Sequence, residues 1–334
     1  MSMDQDRPIL LEAEHIRKIF PVRGAAQFSR RRYLRAVDDV SLTIHEGETV
    51  GLVGESGCGK STLGRCLLGL YPVTEGVVRF RGEETQTLSH RRQRELCKQR
   101  QIIFQDPYAS LNPRMTIYQS VKAPLDVFHM GSEEEKQRRV TELLDYVGIG
   151  SQHMSKYPHE LSGGQRQRVF IARAIILQPS FVVCDEPVSA LDVSVRSQVL
   201  NLMKRIQQEH GMAYLFISHD LSVVRYLCDR VVVMHLGKVV EEGSKQELFE
   251  HPVHPYTRAL MSAIPLPDVH TRRQRIILSG DLPSPVDPPE GCRFCTRCPY
   301  ATEECRTRVP KPVCLEGTHF VACHRIDAVR NDME

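Results

Sequence analysis

The sequence predicts an α/β protein with a largely parallel β-sheet. Short apolar segments that end in polar residues alternate with segments of helical periodicity along most of the chain. One of these apolar segments runs directly into a glycine-rich turn and then a helical pattern. Alternating strands and helices favour a parallel sheet, which binds ligands beyond the carboxyl ends of its strands. We therefore expect the functional residues at those strand ends.

Five apolar runs are the predicted strands of this sheet: ETVGLVG (48–54), IIFQ (102–105), FVVCDE (181–186), AYLFISHD (213–220) and VVVMH (231–235). The segment from Met115 to Pro158 has no comparable run and is predicted to be a helical insert. The alternation stops near Ile264, where proline and cysteine become frequent. This change in composition predicts a boundary between a domain of residues 1–263 and an extension of residues 264–334.

The composition excludes several classes of protein. Hydrophobic residues at 41% and charged residues at 25% are ordinary for a globular chain, and a net charge of +3 does not indicate nucleic-acid binding. We interpret the basic stretches SRRRYLR (29–35) and HRRQRELCKQR (90–100) as solvated surface. No apolar run approaches the roughly 20 residues that span a bilayer, and the acidic start predicts no signal peptide. Any association with a membrane would therefore require a partner.

A phosphate-binding loop is predicted between the first of these strands and a helix that begins near Lys60. The sequence matches G-x-x-x-x-G-K-[ST] with Gly54, Glu55, Ser56, Gly57, Cys58, Gly59, Lys60, Ser61 and Thr62. The glycines let backbone N–H groups face phosphate oxygens, and the positive end of the helix strengthens that field. Lys60 is predicted to contact the β- and γ-phosphates and Ser61 to bind Mg²⁺. Cys58 is expected to make the loop sensitive to thiol reagents.

Two further motifs contain residues that are suited to binding a phosphate group or to hydrolysing it. The strand FVVCDE ends in Asp185, which suits the Mg²⁺ shell, and Glu186, which can polarise an attacking water. A second anion-binding helix start is predicted at Leu161, Ser162, Gly163, Gly164 and Gln165, with Ser162 as the N-cap. Since one ATP has only one γ-phosphate, this second site need not face the same nucleotide.

These motifs, in this order, resemble those of the ATP-binding subunits of ABC transporters, whose signature sequence is LSGGQ. The resemblance covers nearly the whole chain. It implies an ABC-type P-loop ATPase core in residues 1–263, with a mostly parallel sheet flanked by helices, an antiparallel β subdomain and a helical subdomain at about 106–178. It also implies that two such domains pair head to tail, so that the signature of one closes over the ATP of the other.

The resemblance assigns roles to further residues. Gln105 is implied to be the glutamine that senses Mg²⁺ and contacts the membrane subunits, and His219 to contact the γ-phosphate. The D-loop is implied at Ser189, Ala190, Leu191 and Asp192. Phe20 best matches the aromatic that stacks on adenine, with Tyr33 as the alternative. Hydrolysis is then attack of water on the γ-phosphate, with Lys60, Glu186 and His219 as the catalytic residues and Ser61, Gln105 and Asp185 around Mg²⁺.

The segment DPYASLNPRMTI (106–117) resembles the form in peptide and nickel importers. The segment HPVHPYTRAL (251–260) and the later LPSP…PPEGCRF…RCPYA…C resemble the C-terminal extension of the oligopeptide and dipeptide importer ATPases. The second ATP-binding subunit of the dipeptide importer is the most similar type. The resemblance implies an ATPase that powers import of dipeptides or short peptides. Its implied partners are two transmembrane permeases, a related ATP-binding subunit in a heterodimer and a periplasmic binding protein. Its implied place is the cytoplasmic face of the bacterial inner membrane, as a peripheral protein.

Two alternatives remain open. One is the ATPase of an importer of nickel or another small solute. The other is a soluble ABC ATPase acting on DNA or in translation, which the single ATPase module and the lack of a long heptad run disfavour.

The carboxyl-terminal cysteines are predicted to bind a metal, because this proline-rich segment has too little apolar content for its own core. Zinc would take four thiolates, or three with His319 or His324, and a four-iron cluster would take four thiolates. Spacing alone selects Cys292, Cys295, Cys298 and Cys305. The family resemblance instead selects Cys292, Cys298, Cys305 and Cys323 as ligands of a 4Fe-4S cluster. Zinc and a set of free thiols are the alternatives.

Overall fold

The computed structural model describes residues 7–22, 32–105, 111–264, 276–278, 280 and 283–332. Residues 29–31 of the first basic stretch and 106–110 of DPYASLNPRMTI lie outside the described residues. The chain folds into two compact units. The first comprises Met1–Leu10, His45–Glu48 and Thr87–Phe216, and the second comprises Leu11–Ile44, Thr49–Gln86 and Ile217–Glu334.

The first unit contains three neighbouring strands and the helical insert. Its strands are β6 (Arg100–Ile103), β7 (Phe181–Asp185) and β8 (Ala213–Ile217), in that spatial order, and β6 runs parallel to β7. Its helices are α2 (His90–Gln99), α3 (Ile117–Val127), α4 (Glu133–Tyr146), α5 (Gly163–Ile175) and α6 (Val193–His210). Every residue of β7 and β8 is buried, as their uninterrupted apolar runs predicted.

Helices lie within the predicted helical insert, and local chemistry explains where two of them begin. Thr116 caps α3 and forms a capping box with Gln119. Ser132 caps α4, whose first turn contains three glutamates that favour the positive end of the helix.

The second unit contains two sheets. The strands of the smaller sheet are β1 (Ile9–Val22), β2 (Arg32–His45), β4 (Glu75–Phe80) and β5 (Glu83–Glu84). They lie in the order β2-β1-β4-β5, and β4 is antiparallel to both β1 and β5. The larger group contains β3 (Thr49–Val53), β9 (Arg230–His235), β10 (Lys238–Ser244), β11 (Val313–Cys314) and β12 (Phe320–Val321). Here β3 is parallel to β9, while β10 is antiparallel to both β9 and β12.

The helices of the second unit surround these strands: α1 (Lys60–Leu67), α7 (Leu221–Leu227), α8 (Lys245–Glu250), α9 (Pro255–Ser262), α10 (Glu303–Thr307) and α11 (Ile326–Asn331). The carboxyl-terminal segment is joined to this unit by sheet pairing, since β12 adds to the edge of β10. Buried Phe294, Val321 and Val329 contribute apolar contacts. Strand pairing and three buried side chains therefore also anchor this segment, which the expectation of a metal-held segment did not include.

None of the helices in the described ranges is both long and apolar enough to cross a membrane.

Candidate nucleotide-binding site

The glycine-rich loop lies between β3 and α1, as predicted, with Lys60 as the first residue of the helix. Gly54 and Gly59 have φ angles of +149° and +106°. A Cβ atom at Gly54 would overlap the carbonyl oxygen of Met234, and one at Gly59 would overlap that of Ala36. Both positions therefore require glycine for backbone conformation and for close packing.

Lys60 is buried against the loop that precedes it. Its Nζ donates hydrogen bonds to the carbonyl oxygens of Gly54 at 2.8 Å and Glu55 at 2.9 Å. The Sγ atom of Cys58 lies 3.7 Å from the same nitrogen. The loop thus holds a positive charge beside the start of α1, where the helix dipole is also positive. This is the field that a triphosphate requires.

Cys58 is only 3% exposed, and burial raises the pKa of its thiol. A buried, protonated thiol reacts slowly, because the thiolate is the nucleophile. The structure therefore opposes the expectation that Cys58 makes the loop sensitive to thiol reagents.

In the first unit, Gln105 and Glu186 meet at the ends of neighbouring strands. Gln105 follows β6, Asp185 is the buried last residue of β7, and Glu186 comes next. The Gln105 amide Nε2 donates to Glu186 Oε2 at 2.9 Å. The Ser189 hydroxyl donates to the Glu186 carbonyl at 3.1 Å. The Gln105 amide thus fixes the Glu186 carboxylate, and Ser189 supports its backbone.

Glu186 itself has φ +48°, in the left-handed region that non-glycine residues seldom adopt. A backbone of this kind costs about 1–3 kcal/mol and persists where the surroundings enforce it. From Ser189 to Asp192 the predicted D-loop leads into α6, for which Asp192 is the N-cap.

The signature segment forms the start of α5, and the predicted N-cap at Ser162 is confirmed. Ser162 Oγ accepts from the Gln165 N–H at 3.3 Å, and Gln165 Oε1 accepts from the Ser162 N–H at 3.0 Å. A Cβ atom at Gly164 would overlap Val195 of α6, while Leu161 is buried. Because Gly163 and Gly164 lack side chains, no side chain at these two positions covers the backbone N–H groups of the first turn of α5, which an anion-binding helix start requires.

The remaining predicted residues lie in the second unit. His219 is exposed between β8 and α7. The Phe20 ring of β1 lies edge-on to Tyr71, with centroids 5.8 Å apart, and Lys18 Nζ lies 4.9 Å from the Phe20 centroid. Tyr33, the alternative, is 47% exposed on β2.

Sequence reasoning missed the contacts of Glu55. Its backbone N–H donates to the Tyr256 hydroxyl at 2.8 Å. Arg297 Nη1 lies 2.9 Å from Glu55 Oε2 and 3.1 Å from Oε1. Because Arg297 is 242 residues away along the chain, no local pattern signals this pair.

The six carboxyl-terminal cysteines are all among the described residues and form no disulfide. Burial raises the pKa of Cys292 to about 12 and of Cys298 to about 11, and it also raises the pKa of Cys323. Cys323 Sγ accepts from the Arg325 N–H, and Cys305 Sγ lies 3.4 Å from the Thr302 hydroxyl.

Within the described part of the chain, no three Cys, His, Asp or Glu side chains are placed to hold a metal ion. A metal binds thiolates, so metal binding would require these thiols to lose their protons and to move closer together. The predicted ligands Cys292, Cys298, Cys305 and Cys323 thus stay a prediction.

Comparison with known proteins gives consistent matches. Residues 37–189 match a family described as ABC transporter, and residues 240–305 match one described as oligopeptide/dipeptide transporter, C-terminal region. The oligopeptide transport ATP-binding protein AppF of Bacillus subtilis is 48% identical over 318 residues, which cover 94% of this chain and 97% of AppF. The oligopeptide transport ATP-binding protein OppF of Haemophilus influenzae is 45% identical over 332 residues, which cover 98% of this chain and 100% of OppF.

A solved structure gives the same result for the fold. The ATP-binding cassette MJ0796, in a dimeric post-hydrolysis state bound to ADP and Pi, aligns with a TM-score of 0.63 at 29% identity. The alignment covers 71% of this chain and 99% of that chain.

Proposed function

The chain belongs to the ATP-binding proteins of ABC transporters that carry the oligopeptide/dipeptide transporter C-terminal region, and we propose that it hydrolyses ATP to power the import of oligopeptides or dipeptides. The observation that carries the ATPase part is the phosphate loop, whose Gly54 and Glu55 carbonyl oxygens hold Lys60. The similarity to AppF and OppF along nearly the whole chain supports peptides as the cargo.

In the proposed site, the loop amides and Lys60 bind the phosphates, and Phe20 stacks on adenine. Ser61, Gln105 and Asp185 would hold Mg²⁺, since hydroxyl, amide and carboxylate oxygens are ligands that this ion accepts. When bound, Mg²⁺ neutralises charge on the β- and γ-phosphates.

Glu186 is the proposed residue that orients the attacking water. Its hydrogen bond from Gln105 fixes the carboxylate, and the unusual backbone supported by Ser189 fixes its direction. His219 is proposed to donate to the γ-phosphate as negative charge develops there.

A complete site is proposed to require a second ATP-binding subunit. Leu161, Ser162, Gly163, Gly164 and Gln165 of one subunit would contact the ATP of the other, with Ser189 to Asp192 at the junction. The dimeric state of MJ0796 with ADP and Pi supports such an assembly. We propose a related ATP-binding subunit as the partner in a heterodimer.

Hydrolysis tests the role of Glu186. Glu186→Gln should keep ATP binding and lower the hydrolysis rate about 10²–10⁴-fold, because the amide cannot accept a proton from water. The matched control is Glu142→Gln, an exposed glutamate on α4, which should keep the wild-type rate. A Glu186→Gln protein with normal turnover would refute the proposed role.

The recovered partner proteins and the solute taken up test the proposed transport function. We propose that the subunit binds two permeases at the cytoplasmic face of the inner membrane and works with a periplasmic binding protein. Affinity purification from detergent-solubilised membranes should recover two multispanning permeases, and uptake of labelled dipeptides should depend on Lys60. Recovery of ribosomes or DNA would contradict a transport role, and uptake of nickel but not peptides would change the cargo.

A 4Fe-4S cluster on Cys292, Cys298, Cys305 and Cys323 is our proposal for the extension, with zinc as the alternative. Besides burial, Cys323, Cys298 and Cys295 each raise the pKa of Cys292, so these thiols lie in one neighbourhood, which includes Cys295 as well as three of the proposed ligands. Binding would require these thiols to ionise and converge. Iron, zinc and acid-labile sulfide measured in protein purified without oxygen decide the matter. About four irons and four sulfides per chain support the cluster, and no metal at all refutes it.

A further inference from the structure

The carboxyl-terminal extension contacts the phosphate loop at Glu55. Arg297 lies between Cys295 and Cys298, and its side chain is 10% exposed. One guanidinium nitrogen, Nη1, bridges both oxygens of the Glu55 carboxylate at 2.9 and 3.1 Å. A charge-assisted hydrogen bond of this kind, shielded from solvent, is stronger than a neutral one.

The backbone of Glu55 is held as well. Its N–H donates to the hydroxyl of Tyr256, a fully buried residue of α9. Burial raises the pKa of Tyr256, which keeps the hydroxyl neutral. The Tyr256 ring packs against Phe294 of the extension, with centroids 5.4 Å apart. The loop residue is thus fixed at its amide by α9 and at its carboxylate by the extension.

The carboxylate of Glu55 is in an unfavourable place for a loop that binds a polyanion. Lys60 Nζ, which is proposed to bind the phosphates, donates to the carbonyl of this same residue at 2.9 Å. His235 Nδ1 lies 3.8 Å from Glu55 Oε2, but burial lowers the pKa of His235 to about 4, so this ring is neutral near pH 7. Arg297 therefore supplies the permanent positive charge that balances Glu55 among the described residues.

We propose that Arg297 is a positioning residue for ATP binding. By neutralising and orienting Glu55, it keeps the phosphate loop able to accept a triphosphate, so that the carboxyl-terminal extension is a working part of the nucleotide site. This inference rests on the proposed ATPase function.

The test measures the dissociation constant of Mg-ATP by competition with a fluorescent ATP analogue, using the full chain. Arg297→Gln should raise this constant about tenfold, equivalent to about 1.4 kcal/mol, because the unpaired carboxylate repels phosphate. The defect should shrink at high ionic strength, which screens the repulsion. In steady-state hydrolysis, KM for ATP should rise while kcat stays close to wild type.

A second substitution separates charge from packing. Adding Glu55→Gln to Arg297→Gln removes the carboxylate and should recover most of the lost affinity. Arg297→Lys, which keeps the charge, should be milder than Arg297→Gln. The control is Arg308→Gln in the same extension, where Arg308 forms an exposed pair with Glu304 at 3.5 Å and should leave ATP binding unchanged.

The outcomes separate this inference from the function it rests on. If Arg297→Gln binds Mg-ATP as tightly as wild type, or if Glu55→Gln gives no recovery, Arg297 is not a charge-balancing residue. If the wild-type chain itself fails to bind Mg-ATP, the proposed function fails first. Circular dichroism spectra matching wild type confirm that each variant is folded.

Discussion

Two buried histidines predict that the protein loses stability in mild acid. His254 is 1% exposed and His235 is 0% exposed, and both rings contact Phe294 of the extension. Burial lowers the pKa of His254 to about 3 and that of His235 to about 4. Both side chains are therefore neutral in the folded protein under conditions where the unfolded chain would protonate them.

The direction and the size of this loss of stability follow from the difference in proton binding between the folded and unfolded states. A histidine in the unfolded chain titrates near pH 6.5, so between about pH 6.5 and pH 4 the unfolded state binds more protons than the folded state. Stability is fully present above this window and falls as the pH is lowered through it. One unit below 6.5, at about pH 5.5, each histidine costs about 1.4 kcal/mol, and the two together cost about 3 kcal/mol.

The assay is urea unfolding at about pH 7.5, 6.5 and 5.5, followed by far-ultraviolet circular dichroism. His254→Asn is the informative variant, because His254 caps α9 by accepting the Tyr256 N–H at 3.1 Å, and asparagine also caps helices. The variant should lose about half as much stability as wild type between pH 7.5 and 5.5. The control is His90→Asn, an exposed histidine of α2, which should keep the wild-type slope.

An unchanged pH dependence in His254→Asn would refute the reasoning, because it would mean that the buried ring takes up a proton in the folded state.

Three further predictions concern a buried carboxylate, a glycine of the phosphate loop and the reactivity of the thiols. Glu241 is fully buried, and its carboxylate accepts from the Val253 N–H at 2.7 Å, the His254 N–H at 2.9 Å and His319 Nε2 at 2.7 Å. Glu241→Gln should lower the free energy of unfolding by about 2–4 kcal/mol in urea, because an amide group offers one acceptor fewer, whereas exposed Glu316→Gln should be neutral. Gly59→Ala should abolish binding of Mg-ATP, measured by competition, because the added methyl group overlaps the Ala36 carbonyl. Gly69→Ala, also at positive φ but with open space, should cost only about 1 kcal/mol of stability, and equal ATP binding by both variants would contradict this account. Iodoacetamide should label exposed Cys97 and Cys314 well before buried Cys58 in peptides followed by mass spectrometry, and rapid labelling of Cys58 would show that the loop opens.

Local chemistry explains why much of the site could be predicted from the sequence. The glycine-rich loop, the helix that begins at Lys60 and the cap at Ser162 each depend on residues within about ten positions of one another. The five apolar runs each contain a strand, because a buried strand needs only a short uninterrupted apolar segment.

Half-buried strands were harder to predict. β1 and β2 are long, contain many charged residues and expose part of their surface, so they resemble neither an apolar run nor a strict alternation. Their pairing depends on partners far along the chain: β1 pairs with β4 at a separation of about 60 residues and includes an irregularity between Glu14 and Arg17. Register of this kind depends on tertiary packing and cannot be obtained from spacing.

The extension shows a different limit of sequence reasoning. Its low apolar content predicted that it has no core of its own, but the expectation that a metal holds it omitted the edge of β10 as a docking site. A strand edge offers unpaired N–H and C=O groups, and β12 satisfies them at Glu241 and Glu242. Composition can show that a segment needs support, yet it cannot identify which edge provides it.

Three contacts between acidic side chains and the extension also attach it to the rest of its unit. Three acidic residues outside it, Asp38, Glu55 and Glu241, meet Arg293, Arg297 and His319 of the extension. Lys238 Nζ also lies 3.7 Å from Asp38 Oδ2, so the Asp38 carboxylate still has a cation beside it if Arg293 is lost. Glu55 has no second permanent charge among the described ion pairs, only neutral His235. Loss of Arg297 should therefore leave the Glu55 carboxylate without a permanent cation, unlike loss of Arg293 at Asp38. The Arg297 contact is also the one that touches the phosphate loop, so the attachment of the extension that depends on a single permanent cation is the one at the nucleotide site.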